Sequence, residues 1–245
     1  MNIILFENHE VDSPFRRDDH RVQHILNVLQ REVGDSTDVG LVDGPRGKAV
    51  LRSLNEQEVE FEFTWGEEPP ALLPIDLIVG LSRPQTSRKI LREATSLGVR
   101  SIHFAKPQRV NRSYASSKLW ITDEWEQLVR AGVEQAFSTR FPMVKLGASL
   151  SDCIEATNSA TLRICLDNYE ATSALWDASD QGVDQEHHAP QPSVVLAVGS
   201  ERGWTDKERA LFRQNDFTLA HLGDRPLRTE TAAIAAISIV SAQMG

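Results

Sequence analysis

From Pro74 onward, short apolar runs alternate with stretches of helical periodicity, and this alternation restricts the possible fold more than any other feature of the chain. Runs at 75–81, 100–105, 143–147, 161–166, 193–198 and 216–221 read as strands, and 86–98, 120–138, 205–214 and 229–243 read as helices. Strands joined through helices lie parallel, and a parallel sheet is covered on both faces, so residues 71–245 read as one α/β domain. Ligands in such open sheets settle beyond the carboxyl ends of the strands, where the loops gather.

Two loops of this region stand apart. The first, Gly199-Ser200-Glu201-Arg202-Gly203-Trp204, follows the apolar run PSVVLAV and runs into a capping box with Thr205 at the N-cap and Glu208 three residues on. The second, LGDRPLRTET over 222–231, joins a strand to a helix rich in Ala and Ile. Tight turns between buried elements expose backbone N–H and C=O groups that suit a polar ligand. Each turn also reads as an ordinary strand-to-helix connection. Neither matches GxGxxG or GxxxxGK[ST], and the chain has no GxSxG, so the dinucleotide, P-loop and hydrolase fingerprints are missing.

Ahead of the alternation, residues 2–6, 36–42, 47–54 and 58–64 read as short strands, with one helical stretch from His20 to Arg31 that places Ile25, Val28 and Leu29 on one face. The composition predicts a small β-barrel with a single helix. Three prolines in WGEEPPALLP, residues 65–74, put a domain boundary there and divide the chain into 1–70 and 71–245. Residues 177–192 read as an acidic loop.

The net charge of −9 argues at face value against a nucleic-acid partner, but the charge is unevenly spread. Residues 1–70 hold seven Lys and Arg against fifteen Asp and Glu, whereas 71–148 hold twelve against six. Nine of those cations fall between Arg83 and Lys118 beside a single acid, Glu93. Such a cluster suits phosphates, and equally suits a solvated helix face. Cys153 and Cys165 read as reduced core residues, and no Cys or His spacing fits a zinc site, so no metal is expected. The opening residues lack a basic leader and no apolar run approaches membrane-spanning length, so a cytoplasmic protein is expected.

VGSERGWTDKE, followed some twenty residues later by LGDRPLRTETAA, resembles the GPEGG and LGxRxLRxETA motifs of the RsmE family of SPOUT-class RNA methyltransferases. Three further blocks keep the family's order. His24-Ile25-Leu26 with Val28-Leu29 and Gly34-Asp35 is similar to HLxxVLRxxxGD, residues 94–99 to ATELGV, and Glu134-Gln135 with Arg140 and Pro142 to EQxGRxRxP. The resemblance implies methylation of N3 of a uridine in 16S ribosomal RNA of the small subunit, with S-adenosylmethionine as cofactor and a homodimer as the working form. It also implies a PUA-like RNA-binding barrel in 1–70 and a trefoil-knotted domain in 71–245, with the last helix passing through a loop of earlier strands.

Carried over residue by residue, the resemblance puts the cofactor across three loops. Leu166 stands in the first; Val198, Gly199, Ser200, Glu201 and Gly203 in the second; and His221, Leu222, Gly223, Leu227, Arg228, Thr229, Thr231 and Ala232 in the third. Arg228 is expected to stabilise charge on the uracil, and Glu230 to fix the turn or to hold Arg228 by a charge-assisted hydrogen bond. RNA contacts are expected from Arg16, Arg17, His20, Arg21, Arg83, Arg88, Lys106, Arg109 and Arg112. Ser200 replaces a family Pro and Arg202 a family Gly, which requires that position 202 not need positive φ. Ser96 and Ser138 also depart from the pattern. The altered loop and the acidic balance motivate an alternative, a non-catalytic RNA-binding or ribosome-assembly protein on the same scaffold.

Overall fold

The computed structural model describes residues 2–106, 112–180 and 193–244, and of Arg112, Ser179 and Asp180 the backbone alone. The chain divides into two compact units, one of Met1–Ala71 with Val133–Phe141, the other of Leu72–Gly132 with Pro142–Gly245.

The first unit is built on a five-stranded sheet in the order β1-β3-β4-β5-β2. Its strands are β1 (Ile4–Phe6), β2 (Phe15–Arg16), β3 (Ser36–Leu41), β4 (Arg46–Leu54) and β5 (Glu58–Trp65). β1 runs parallel to β3, and the other pairs are antiparallel. The period of two in β5 turns Val59, Phe61, Phe63 and Trp65 toward a core of Phe6, Phe15, Val22, Ile25, Val39, Ala49 and Leu51.

The expected helix over 20–31 is broken early. Only α1 (His20–Gln23) is regular; His24–Val28 forms a π turn, and Gln30 takes a left-handed φ of 53°. The wider turn rotates the later side chains about the helix axis, so Ile25 is fully buried while Val28 is 66% exposed rather than on the same face. The first unit's leading segment ends at Ala71, within the boundary read at 65–74, but the division into 1–70 and 71–245 needs correction, because residues 133–141 return to the first unit. Ile3 N donates to Glu134 O at 3.1 Å and Asp43 N to Thr139 O at 2.8 Å, while Arg140 pairs with Glu68 at 2.7 Å. Backbone bonds of that kind leave no periodic trace in the sequence.

The second unit carries a seven-stranded sheet in which every pair is parallel, in the order β10-β12-β9-β11-β6-β7-β8. Its strands are β6 (Leu73–Gly80), β7 (Val99–Lys106), β8 (Met143–Ser149), β9 (Leu162–Leu166), β10 (Ser173–Ala174), β11 (Val194–Val198) and β12 (Thr218–His221). The helices are α2 (Pro84–Ser96), α3 (Lys118–Ile121), α4 (Glu124–Gln135), α5 (Leu150–Ala156), α6 (Leu175–Asp180), α7 (Asp206–Gln214) and α8 (Thr229–Met244). The stretch expected as one helix over 120–138 is two, because Thr122 is extended between α3 and α4. Residues 175–180 are helical where an acidic loop was expected from 177, and the rest of that segment lies outside the described residues.

The all-apolar β11 is buried throughout, as a central parallel strand must be. Cys153 and Cys165 are both buried in the core, beside Trp204, Phe212 and Phe217. The capping box read at Thr205 is present: Thr205 Oγ1 accepts Glu208 N–H at 3.3 Å, and Glu208 Oε2 accepts Thr205 N–H at 2.8 Å.

Candidate functional site

From β6 the chain proceeds outward to β7 and β8 on one side, then crosses to β9 on the other, and β11 later enters between β9 and β6. The carboxyl ends of β6 and β11 therefore meet at the point where the winding reverses, the position at which open parallel sheets hold ligands. A cleft of about 680 Å³ opens there. The loops after β6, β9, β11 and β12 all contribute to its walls.

The turn after β11 is shaped by two close approaches. A Cβ on Gly80 would stand 2.7 Å from Ser200 N, so only glycine lets the ends of β6 and β11 come together. Gly203 takes φ +66°, whereas Arg202 is not among the residues at positive φ, so the Arg sits at a position that tolerates it. Glu201 reaches across to α2, whose first turn begins at Pro84 without a side-chain cap of its own. Its Oε1 accepts Arg83 N–H at 3.1 Å and Thr86 Oγ1–H at 2.9 Å, placing a carboxylate on the positive end of that helix.

The turn after β12 leads into α8 with Arg225, Pro226, Leu227 and Arg228 exposed and Thr229 buried. Of the two roles expected for Glu230, fixing the turn or holding Arg228, the bond to Arg228 is not formed. Glu230 Oε1 accepts from Lys89 Nζ on α2 at 2.9 Å, since residues two apart on a helix face different ways. The Lys89 hydrogen bond holds the Glu230 carboxyl below the usual carboxylate range. Arg228 is left without an ion-pair partner among the described residues and lines the cleft.

The turn after β9 is fixed from below. Asp167 Oδ1 accepts the N–H groups of Tyr169 and Glu170 at 2.8 and 2.7 Å, and its Oδ2 accepts Arg209 Nε–H at 2.8 Å. The Arg209 side chain is 6% exposed and also bonds Asp206 at 2.8 Å. Burial alone would weaken its charge, but the hydrogen bond and field of Asp167 more than compensate and raise its pKa.

Eleven of the residues expected around a cofactor line the cleft: Leu166, Val198, Gly199, Ser200, Glu201, Gly203, Leu222, Leu227, Arg228, Thr229 and Ala232. His221, Gly223 and Thr231 do not. His221 Nδ1 accepts Gly223 N–H at 3.1 Å, which spends both on shaping the turn, and Thr231 is exposed on α8. Among the residues expected to meet RNA, Arg83 lines the cleft and Lys106 is exposed at the end of β7. Arg88 is bound to Glu124 at 2.5 Å. Arg109 lies outside the described residues, as does the side chain of Arg112.

In the first unit, Arg16 and Arg17 border a shallow cavity of about 790 Å³ that they share with Asp18, Glu56 and Glu58. His20 is exposed, whereas Arg21 is folded inward onto Glu10 and Asp19 at 2.7 Å each. Its guanidinium also stacks on Phe6 at 4.7 Å. The basic run of 83–118 is partly neutralised in the same way, Arg92 by Glu93 and Arg100 by Asp76.

Sequence reasoning missed Thr86, Lys89, Tyr169 and Arg209. Thr86 and Lys89 stand three apart on α2, a spacing that puts them on one face, but nothing in the sequence pairs them with acids more than a hundred residues away. Among the described residues no group of three or more His, Cys, Asp or Glu could hold a metal ion, and no helix is long and apolar enough to cross a membrane.

Residues 68–241 match the model of the RNA methyltransferase domain, which defines the class. Ribosomal RNA small subunit methyltransferase E of Treponema pallidum (strain Nichols) is 35% identical, over 99% of this chain and 91% of its own length. The protein named ribosomal RNA small subunit methyltransferase E 1 of Borreliella burgdorferi is 26% identical over 100% of this chain and 99% of its own. A crystal structure of ribosomal RNA small subunit methyltransferase E from Neisseria gonorrhoeae, bound to S-adenosyl methionine, superposes with a TM-score of 0.77 at 25% identity, covering 100% and 98% of the two chains. The chain belongs to the ribosomal RNA small subunit methyltransferase E family.

Proposed function

We propose that this protein methylates N3 of a uridine in 16S ribosomal RNA, using S-adenosylmethionine. The observation that carries the reading is the shared cleft in which the GSERG and LGDRPLRTET turns meet at the reversal of the sheet. The residues present fit the cofactor. Leu166, Val198, Leu222 and Leu227 supply apolar surface for an adenine ring, and the volume lies within the usual range for small-molecule sites. Backbone groups of the Gly199 to Gly203 turn supply hydrogen bonds to polar edges.

When bound, S-adenosylmethionine supplies an electrophilic methyl group on a sulfonium. The chain's part is to hold the base in line and to manage charge. N3 of uracil lies between two carbonyls, so negative charge spreads onto them as its proton leaves. Arg228, which lines the cleft without an ion-pair partner among the described residues, is the cation we assign to receive that charge. Lys89 locks the Glu230 carboxylate and with it the first turn of α8, which fixes the backbone carrying Arg228. Arg83 and Arg225 add positive charge at the cleft for phosphates.

The reading includes a PUA-like barrel for the first unit and a trefoil knot for the second. The insertion of β11 between β6 and β9, with α8 packed on α2, α6 and β11, supports the knot. It also includes a homodimer. α8 carries one charged residue in sixteen, and Ile234, Ala235 and Ile239 are only partly covered, so an apolar flank remains for a second copy.

The test is a map of modified uridines in 16S ribosomal RNA from a strain lacking the gene. One N3-methyl mark should vanish and return on adding the protein back. An unchanged map, or purified protein with no heat of binding to S-adenosylmethionine, would overturn the reading in favour of a non-catalytic RNA-binding protein.

A further inference from the structure

Tyr169 is 76% exposed, the most exposed large apolar or aromatic side chain among the described residues, yet it stands on the wall of the cleft and is tightly held. Its N–H is bonded to Asp167 at 2.8 Å, and Arg209 places its guanidinium carbon 5.0 Å from the ring centroid. Arg209 is itself fixed by Asp167 and Asp206 and lies 3.4 Å from Glu170. The ring edge reaches the second turn, with Cε2 lying 3.5 Å from where a Cβ on Gly203 would stand. An aromatic ring that is three-quarters exposed, and is backed on one face by a buried cation that three carboxylates neutralise, keeps its other face for a visitor.

We propose that Tyr169 is a stacking platform for a base of the substrate RNA, a specificity-determining contact of the reaction proposed above, on which this inference rests. Unpaired RNA bases are captured by stacking on aromatic side chains, and the cations Arg83, Arg225 and Arg228 on the same cleft suit the flanking phosphates. The adenine of the cofactor is the less suitable guest, because the cleft offers it the apolar side chains of Leu166, Val198 and Leu222 while the tyrosine stands exposed.

The test compares wild type with Tyr169→Ala and Tyr169→Phe, using small ribosomal subunits that lack the methyl mark and S-adenosylmethionine. Tyr169→Ala should raise the KM for the subunit by about tenfold while the calorimetric Kd for S-adenosylmethionine stays within twofold. Tyr169→Phe should restore most of the lost affinity, since the ring and not the hydroxyl stacks. A KM unchanged in the Ala variant overturns the proposal, and so does a parallel loss of S-adenosylmethionine affinity, which would assign the ring to the cofactor. Wild-type protein inactive on these subunits would fail the functional reading itself, a result separate from any effect of Tyr169.

Discussion

Arg21 of the first unit and Arg228 of the second are used in opposite ways. In the first, Arg21 is pulled inward, with 12% of its side chain exposed, by Glu10 and Asp19 and by the face of Phe6. In the second, Arg228 stands at the cleft with no ion-pair partner among the described residues, while the neighbouring acid is held by Lys89. A guanidinium bound by two carboxylates has spent its donors on the fold. One left open at a cleft keeps five donors for a ligand. The comparison separates structural from functional cations more cleanly than their density along the sequence does.

The largest test of this contrast is Arg228→Ala. Methyl transfer to small-subunit RNA should fall by about 100-fold or more in kcat, the scale on which a lost charge-stabilising donor acts, with cofactor affinity within a few-fold. Turnover at the wild-type rate in a labelled-methyl assay would remove Arg228 from the chemistry. Arg21→Met should leave the chemical step untouched but destabilise the first unit by about 2 kcal/mol, read from denaturant unfolding, because Glu10 and Asp19 lose their partner.

The same clasp predicts a pH dependence. The Arg21 hydrogen bond lowers the Glu10 pKa; for Asp19, burial pushes upward but the bonds from Arg21 push further down. Both folded pKa values lie below the unfolded ones, so the stabilisation is complete above the unfolded values of about 4 and is lost as pH falls through the folded ones. Wild type should therefore lose stability on acidification more steeply than Arg21→Met, and parallel curves would refute the clasp.

On the cleft side, Gly80→Ala drives a methyl into Ser200 N and should weaken S-adenosylmethionine binding by roughly tenfold, measured by calorimetry. Lys89→Met should have the smallest effect, about threefold in kcat, because half of the lysine side chain is exposed and its pair with Glu230 is screened. A loss as large as that of Arg228→Ala would mean that Lys89 itself meets the substrate.

Much of this was legible in the sequence where the physics is local. Strand runs such as 194–198 announce a buried parallel strand by being apolar throughout, and the Thr205 to Glu208 box announces its helix by spacing alone. The glycine-bearing turns were found because strand ends and capping residues bracket them. Hidden from the sequence is whatever depends on distant partners. The pairing of Lys89 with Glu230, the return of 133–141 to the first unit and the inward fold of Arg21 are set by tertiary contacts between residues far apart in the chain. The π turn at His24–Val28 was hidden for another reason, since an extra residue in one turn leaves the apolar spacing nearly intact.

The carboxylate of Glu201 has a bearing on how the protein is made. It seals the opening turn of α2 from a position 118 residues further along, so a growing chain completes that helix long before its cap is synthesised. The helix end and one wall of the cleft are thus supplied by the same late residue, and any fragment ending short of that acid lacks both.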